Sequence, residues 1–257
     1  MDLYLEGKNV LITGASRGIG SACAHAFANE GCNLYLAARS KDQLEDVKRE
    51  ITSKYSINVE TFASDLSSSE AMKELADKFQ DTDILLNNAG GIAAGSVETI
   101  EDDQWRSGFD LKVYGYISLT REIYRHMKKR NAGTIINNIG NAGEKLDANY
   151  LAGSTGNAAL MAFTKAVGGV SLDHGIRVLG VNPGPVSTER IEKLFKSWAV
   201  DKFNDESRWT EFGASLPRGR TAKPEEVADV IVFLASPRAD YISGTIITID
   251  GGMASRK

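Results

Sequence analysis

The residues best suited to chemistry stand near the N-terminus, in Thr13-Gly-Ala-Ser-Arg-Gly-Ile-Gly20, with glycines at 14, 18 and 20. A short apolar run precedes this segment and a helical pattern, Ser21 to Asn29, follows it. That context permits a sharp turn at Gly14, close backbone approach at Gly18 and tight helix packing at Gly20, while the helix N-terminus favours negative charge. The segment reads as a cradle for a dinucleotide pyrophosphate, with Gly14, Ser16, Arg17, Gly18, Ile19 and Gly20 around the ligand. Glycines alone carry little weight, because any tight strand-to-helix turn needs them.

About twenty residues further on, a carboxylate would hold the ribose hydroxyls of NAD(H). The chain instead reads Ala37-Ala-Arg39-Ser40. A guanidinium at Arg39, with Arg17 inside the turn, suits a 2′-phosphate, so NADP(H) is expected in preference to NAD(H). The competing reading leaves both arginines as solvated surface charges.

These residues must be positioned by regular elements, and the pattern supplies them. Apolar runs are expected as strands at Asn9 to Thr13, Asn33 to Ala38, Val59 to Ala63, Ile84 to Asn87, Thr134 to Asn137, Arg177 to Asn182 and Thr245 to Ile249. Helical patterns lie between them, among them Ser67 to Phe79, with Ser67 and Glu70 as a capping box, and Pro224 to Ala235, with proline in its first turn. Such alternation predicts an α/β protein: one Rossmann-type, doubly wound domain over residues 1 to 257, with a central seven-stranded parallel sheet and helices on both faces. The irregular stretch 188 to 222 carries Phe195, Trp198, Phe203, Trp209 and Phe212. It reads either as a lid over a substrate pocket or as surface helices anchored by their aromatics.

Composition narrows the partners. With 42% hydrophobic and 25% charged residues and a net charge of −4, the 257-residue chain suits a soluble globular protein with a sizeable core. Neither nucleic acid nor an anionic membrane is expected as a partner. Cys23 and Cys32 have no metal-site or disulfide spacing, and the start of the chain has no signal-like apolar run, so a cytoplasmic location is expected.

Several motifs in order resemble the short-chain dehydrogenase/reductase family along essentially the whole chain. They are the TGxxxGIG turn, Asp65-Leu66, Asn87-Asn88-Ala89-Gly90, Asn182-Pro183-Gly184-Pro-Val186-Ser-Thr188 and Ile249-Asp-Gly-Gly252. The resemblance implies that Asp65 and Leu66 meet the adenine, that Asn88, Ala89 and Gly90 support the cofactor, and that Pro183, Gly184, Val186 and Thr188 hold the nicotinamide carboxamide. It also implies a homodimer or homotetramer paired through the helices at Asp102 to Arg130 and Gly153 to Asp173.

Family enzymes move a hydride between nicotinamide and a ketone or secondary alcohol with an Asn, a Ser and a Tyr followed four residues later by a Lys. An ungapped register through Gly133, Gly143, Phe163-Thr-Lys165 and Pro183-Gly184 places Lys112, Gly140, Gly153 and Asn157 at those four positions. A gapped register reaches the nearby Tyr150 but leaves Ser154 at the lysine position. Lys165 lies eight residues past Asn157, about 12 Å along a helix, and is expected on a solvated face.

Tyr150 and Lys112 are therefore the candidate catalytic pair, the lysine approaching from a neighbouring helix as the tyrosine's cationic partner. The competing expectation makes them packing residues, and the protein a catalytically silent NADP(H) binder or sensor. Gly153 and Gly156 cost a helix roughly 1 kcal/mol each against alanine. Substrate room, close approach to the cofactor or loose packing would explain them, with Ser154, Thr155 and Asn157 as candidate hydrogen-bond donors.

Overall fold

In the computed structural model, which describes residues 1–256, each apolar run becomes a strand and each periodic segment a helix. The order is β1 (Asn9–Thr13), α1 (Gly18–Asn29), β2 (Asn33–Ala38), α2 (Lys41–Thr52), β3 (Val59–Ala63), α3 (Ser69–Lys78) and β4 (Ile84–Asn87). Then follow α4 (Asp102–Gly108), a π-helical segment Phe109–Tyr114, α5 (Gly115–Arg130), β5 (Gly133–Asn138), α6 (Leu151–Gly168) and β6 (Ile176–Pro183). The chain continues through α7 (Glu189–Phe203), α8 (Thr210–Ala214), α9 (Pro224–Ala235) and β7 (Ile246–Ile249). Each of the seven expected strands is present; β5 and β6 run one residue further at both ends, and β7 starts one later.

All strand pairings are parallel, in the order β3-β2-β1-β4-β5-β6-β7. The order reverses between β1 and β4, which opens a crevice at the carboxyl ends of those strands. One face of the sheet buries Cys23 and Phe27 of α1 against Val227 and Ile231 of α9. The other buries Leu75 of α3 against Leu119 and Ile123 of α5. Side chains of this size contribute about 1.5–3 kcal/mol each when removed from water. Arg177, buried on β6, donates to the carbonyls of Leu234, Ala235, Ser236 and Ala239, satisfying the C-terminal end of α9 and the turn after it.

Two local expectations are corrected. The cap of α3 is Ser68, whose hydroxyl accepts from the Ala71 amide at 3.3 Å and donates to Glu70. Ser67 lies instead in the turn before the helix, where its amide donates to the Asp65 carboxylate at 3.1 Å. The helix expected over Asp102 to Arg130 is interrupted by the π segment, which widens the turn carrying Lys112. Cys23 and Cys32 are buried free thiols. Among the described residues, no helix is long and apolar enough to cross a membrane.

Candidate active site

The glycine-rich turn links β1 to α1 as its spacing requires. Gly14 adopts φ +66°, and a Cβ at Gly20 would lie 2.1 Å from the Gly14 carbonyl oxygen, so no larger residue fits there. Helix α1 begins without a side-chain cap and has no acid in its first turn. Its first amides are therefore available to an anion, and a phosphate fits this cradle.

Buried amides hold the turn against the sheet. Thr13 Oγ1 accepts from the amides of Asn88 and Ala89, and Asn88 Nδ2 donates to the carbonyls of Thr13 and Gly14. Asn138 Nδ2 donates to Asn88 Oδ1 at 2.8 Å, and Asn87 Nδ2 to Asn137 Oδ1 at 2.8 Å. Burial makes an unmet amide costly, so this chain of partners pins the ends of β1, β4 and β5 in one arrangement.

Around the crevice, Arg39 and Asp65 are exposed while Leu66 is buried. Arg17 Nη1 meets Glu189 Oε2 at 2.7 Å, so it must leave that exposed pair to reach a ribose phosphate. Pro183 ends β6, Val186 is buried, and a Cβ at Gly184 would press on Asp250 Cβ at 2.9 Å. Thr188 caps α7 by accepting from the Ile191 amide, and its methyl group faces Gly18 of the turn. A side chain at 18 would therefore press on Thr188.

Tyr150 stands just before α6, with its backbone turned out of the helix (φ −131°, ψ 45°). Its ring folds back over the helix. A Cβ at Gly153 would stand 2.0 Å from both Cε1 and Cζ of that ring, so glycine at 153 makes the space the phenol fills. Gly156 has a related reason, since a Cβ there would meet Ile92 and Val113 at 3.1 Å. Neither loose packing nor the cofactor explains these glycines; side chains of the same protein occupy the space.

The cation that reaches the Tyr150 hydroxyl is Arg190, a residue not singled out from the sequence. Its Nη2 donates to the phenol oxygen at 2.7 Å and to the Ile92 carbonyl at 3.3 Å, and its Nη1 donates to the Gly90 carbonyl at 3.3 Å. Lys112, expected as the partner of Tyr150, donates instead to the Ile139 carbonyl. It is only 6% exposed, and burial, with repulsion from Arg190, pushes its ammonium down to about 7. Arg190 escaped notice because nothing local marks it: it lies one residue into α7 and is forty residues from the tyrosine it touches.

Of the candidate donors on α6, Ser154 Oγ is taken by the backbone of Asp147 and Thr155 Oγ1 by the Leu151 carbonyl. Asn157 differs. It is buried, and its Oδ1 has no hydrogen-bond partner, leaving an acceptor beside Gly140 to be met by something else. Lys165 lies on an exposed face, as expected.

The family model described as enoyl-(acyl carrier protein) reductase matches residues 14–254. The chain belongs to the short-chain dehydrogenase/reductase family. It is 32% identical to 3-oxoacyl-[acyl-carrier-protein] reductase FabG of Vibrio cholerae over 98% of this chain and 99% of that protein. It is 30% identical to NADPH-dependent reductase BacG of Bacillus subtilis, covering 96% of this chain and 98% of that one. The crystal structure of L-sorbose reductase from Gluconobacter frateurii, complexed with NADPH and L-sorbose, superposes with a TM-score of 0.92 at 32% identity, over 100% of both chains. Within this family frame, the seven-stranded parallel sheet is that of a reductase along its whole length.

Proposed function

We propose that the chain is an NADP(H)-dependent oxidoreductase acting on a ketone or secondary alcohol, with Tyr150 as its proton donor and acceptor. One observation carries the reading: the Tyr150 ring fills the space in which a side chain at Gly153, the position aligned with the family's tyrosine, would begin. The phenol reaches the same part of the crevice from one turn earlier.

When bound, NADP(H) supplies or accepts the hydride. The turn from Gly14 to Gly20, with Ser16 and Ile19, receives its pyrophosphate; Arg17 and Arg39 take the 2′-phosphate. Asp65 and Leu66 border the adenine, Asn88, Ala89 and Gly90 back the ribose, and Pro183, Gly184, Val186 and Thr188 hold the carboxamide. The unmet Oδ1 of Asn157 accepts a hydroxyl proton in place of the donor a lysine would offer. NADPH-linked relatives and neighbours support this cofactor.

The Tyr150 hydroxyl gives its proton to the carbonyl oxygen or takes one from the alcohol. Because Arg190 donates to the phenol oxygen, the hydroxyl's own proton is free for a second acceptor, and the guanidinium faces charge that develops there. Lys112 acts from below, bracing the Ile139 carbonyl next to Gly140. Residues 188 to 222 cover the mouth. Phe195, Trp198, Phe203 and Phe212 pack on one another and tie α7 to α8, so that the cover is itself a small packed unit. The same reading includes a cytoplasmic location and a homodimer or homotetramer paired through α5 and α6.

The test is NADPH oxidation across a panel of ketones and aldehydes with wild type and Tyr150→Phe. Loss of the donor is expected to lower kcat by about a hundredfold or more with NADPH binding unchanged. Tight NADPH binding with no turnover of any carbonyl would overturn the reading in favour of a silent binder.

A further inference from the structure

The geometry points to a substrate whose carboxylate is bonded directly to its reacting carbonyl carbon, or is separated from it by one carbon, with Arg190 as the group that receives it. This rests on Tyr150 as proton donor, and it adds what lies beside the carbonyl.

Arg190 is exposed at the crevice mouth, and all three acceptors it meets, Gly90 O, Ile92 O and Tyr150 Oη, are uncharged. No carboxylate pairs with it among the described residues, nor with Lys193, Lys202 or Arg218 of the covering segment, but of these four cations only Arg190 is fixed by hydrogen bonds from its charged group. Arg190 also repels Lys112, which is another cation. When Lys112 is protonated, two like charges thus face each other across the crevice with no carboxylate paired to Arg190 among the described residues. That arrangement is unfavourable in the free protein and is relieved by a ligand bearing negative charge.

The fork of Arg190 also sets the ligand's dimensions. Nη2 lies 2.7 Å from the phenol oxygen. An anion on the free side of the guanidinium therefore falls within a few ångströms of the point where Tyr150 meets the carbonyl, a spacing that 2-oxo and 3-oxo acids span. In the reduction the carbonyl carbon gains the hydride from NADPH and its oxygen gains the Tyr150 proton, leaving the hydroxy acid and NADP+. The phosphates of the cofactor are the other source of negative charge. The residue placed for them is Arg17, whose backbone opens α1, whereas Arg190 Nη2 is turned to Tyr150 and Ile92 and only Nη1 meets the Gly90 carbonyl on the cofactor side.

The experiment is calorimetric titration of the NADP+-saturated protein with 2-oxobutyrate, acetoacetate and the methyl ester of each, together with NADPH turnover of all four. Wild type is expected to bind at least one acid about tenfold or more tightly than its ester. Arg190→Leu should erase that difference and Arg190→Lys retain part of it, with NADP+ affinity the same in all three proteins. Equal binding of acid and ester, no binding of either, or a parallel loss of NADP+ affinity in Arg190→Leu overturns the inference, the last assigning the guanidinium to the cofactor. A preference for the acid without turnover would keep the anion site and remove the reductase reading.

Discussion

Lys112 is the side chain whose environment departs furthest from what its type prefers. Its ammonium is pushed from 10.5 to about 7, first by burial and then by Arg190. Between those values the unfolded chain holds a proton that the folded chain has released, so stability rises with pH across that window; the penalty is fully present below about pH 7. The urea midpoint should therefore climb from pH 7 to about 8.5, and Lys112→Met should flatten the climb. A wild-type midpoint that stays level would show the ammonium to be at ease. Above the ordinary thiol value of 9.0 the slope is opposed by Cys23 and Cys32, whose burial raises their folded pKa and which ionise only on unfolding. The sequence could place a lysine at the asparagine position but not its partner, because the Ile139 carbonyl belongs to another strand end. The glycine at 153 and the nearby Tyr150 were both legible; that the Tyr150 ring folds back over Gly153 depended on a backbone angle that no spacing reports.

At the scale of the element, α6 and the residue before it act as a unit, since Gly153 exists to admit a ring from outside the helix. Gly153→Ala puts a methyl group 2.0 Å from Cζ and Cε1 of Tyr150. The ring is the side that can move, so the expected result is a folded protein in which the phenol swings away from Arg190. Turnover should fall about as far as in Tyr150→Phe, and the double variant should lose no more than either single one. Additive losses would mean that the alanine acts elsewhere. A helix-propensity gain of roughly 1 kcal/mol makes the variant more stable if the ring leaves freely. Strands and most helices were legible because buried parallel strands read as apolar runs. The start of α3 and the π segment were not, since Ser67, Ser68 and Ser69 are equivalent as sequence and a π turn leaves no mark in the apolar pattern.

Across the whole molecule, the first turn of α7 joins both halves of the crevice: Glu189 holds Arg17 of the glycine turn, and its neighbour Arg190 holds Tyr150. The Arg17 pair is exposed and contributes little to stability. Its effect is on binding. Glu189→Gln should leave the melting temperature nearly unchanged and bind NADPH as tightly as wild type or tighter, because Arg17 no longer has a competing partner. Arg17→Gln should weaken NADPH by about tenfold while NADH changes little. If NADPH and NADH weaken equally in that variant, Arg17 does not read the 2′-phosphate. The doubly wound layout and the position of the crevice followed from strand order and crossover handedness, and the family match over residues 14–254 agrees with them. The meeting of residues 17, 150, 189 and 190 joins segments far apart in the chain, and local pattern carries no record of it.

The π segment Phe109–Tyr114 also sets how this stretch responds to a change in length. A π turn holds one residue more than an α turn, so deleting a single residue there would restore a regular helix with its flanks still in phase, whereas the same deletion within α5 would turn one flank by about 100° against the other. Trp105 would keep its stack on Phe109, with ring centroids 6.0 Å apart, while Lys112, inside the segment, would lose its line to Ile139. A one-residue deletion at this point would therefore spare the helix and remove the position of a single side chain.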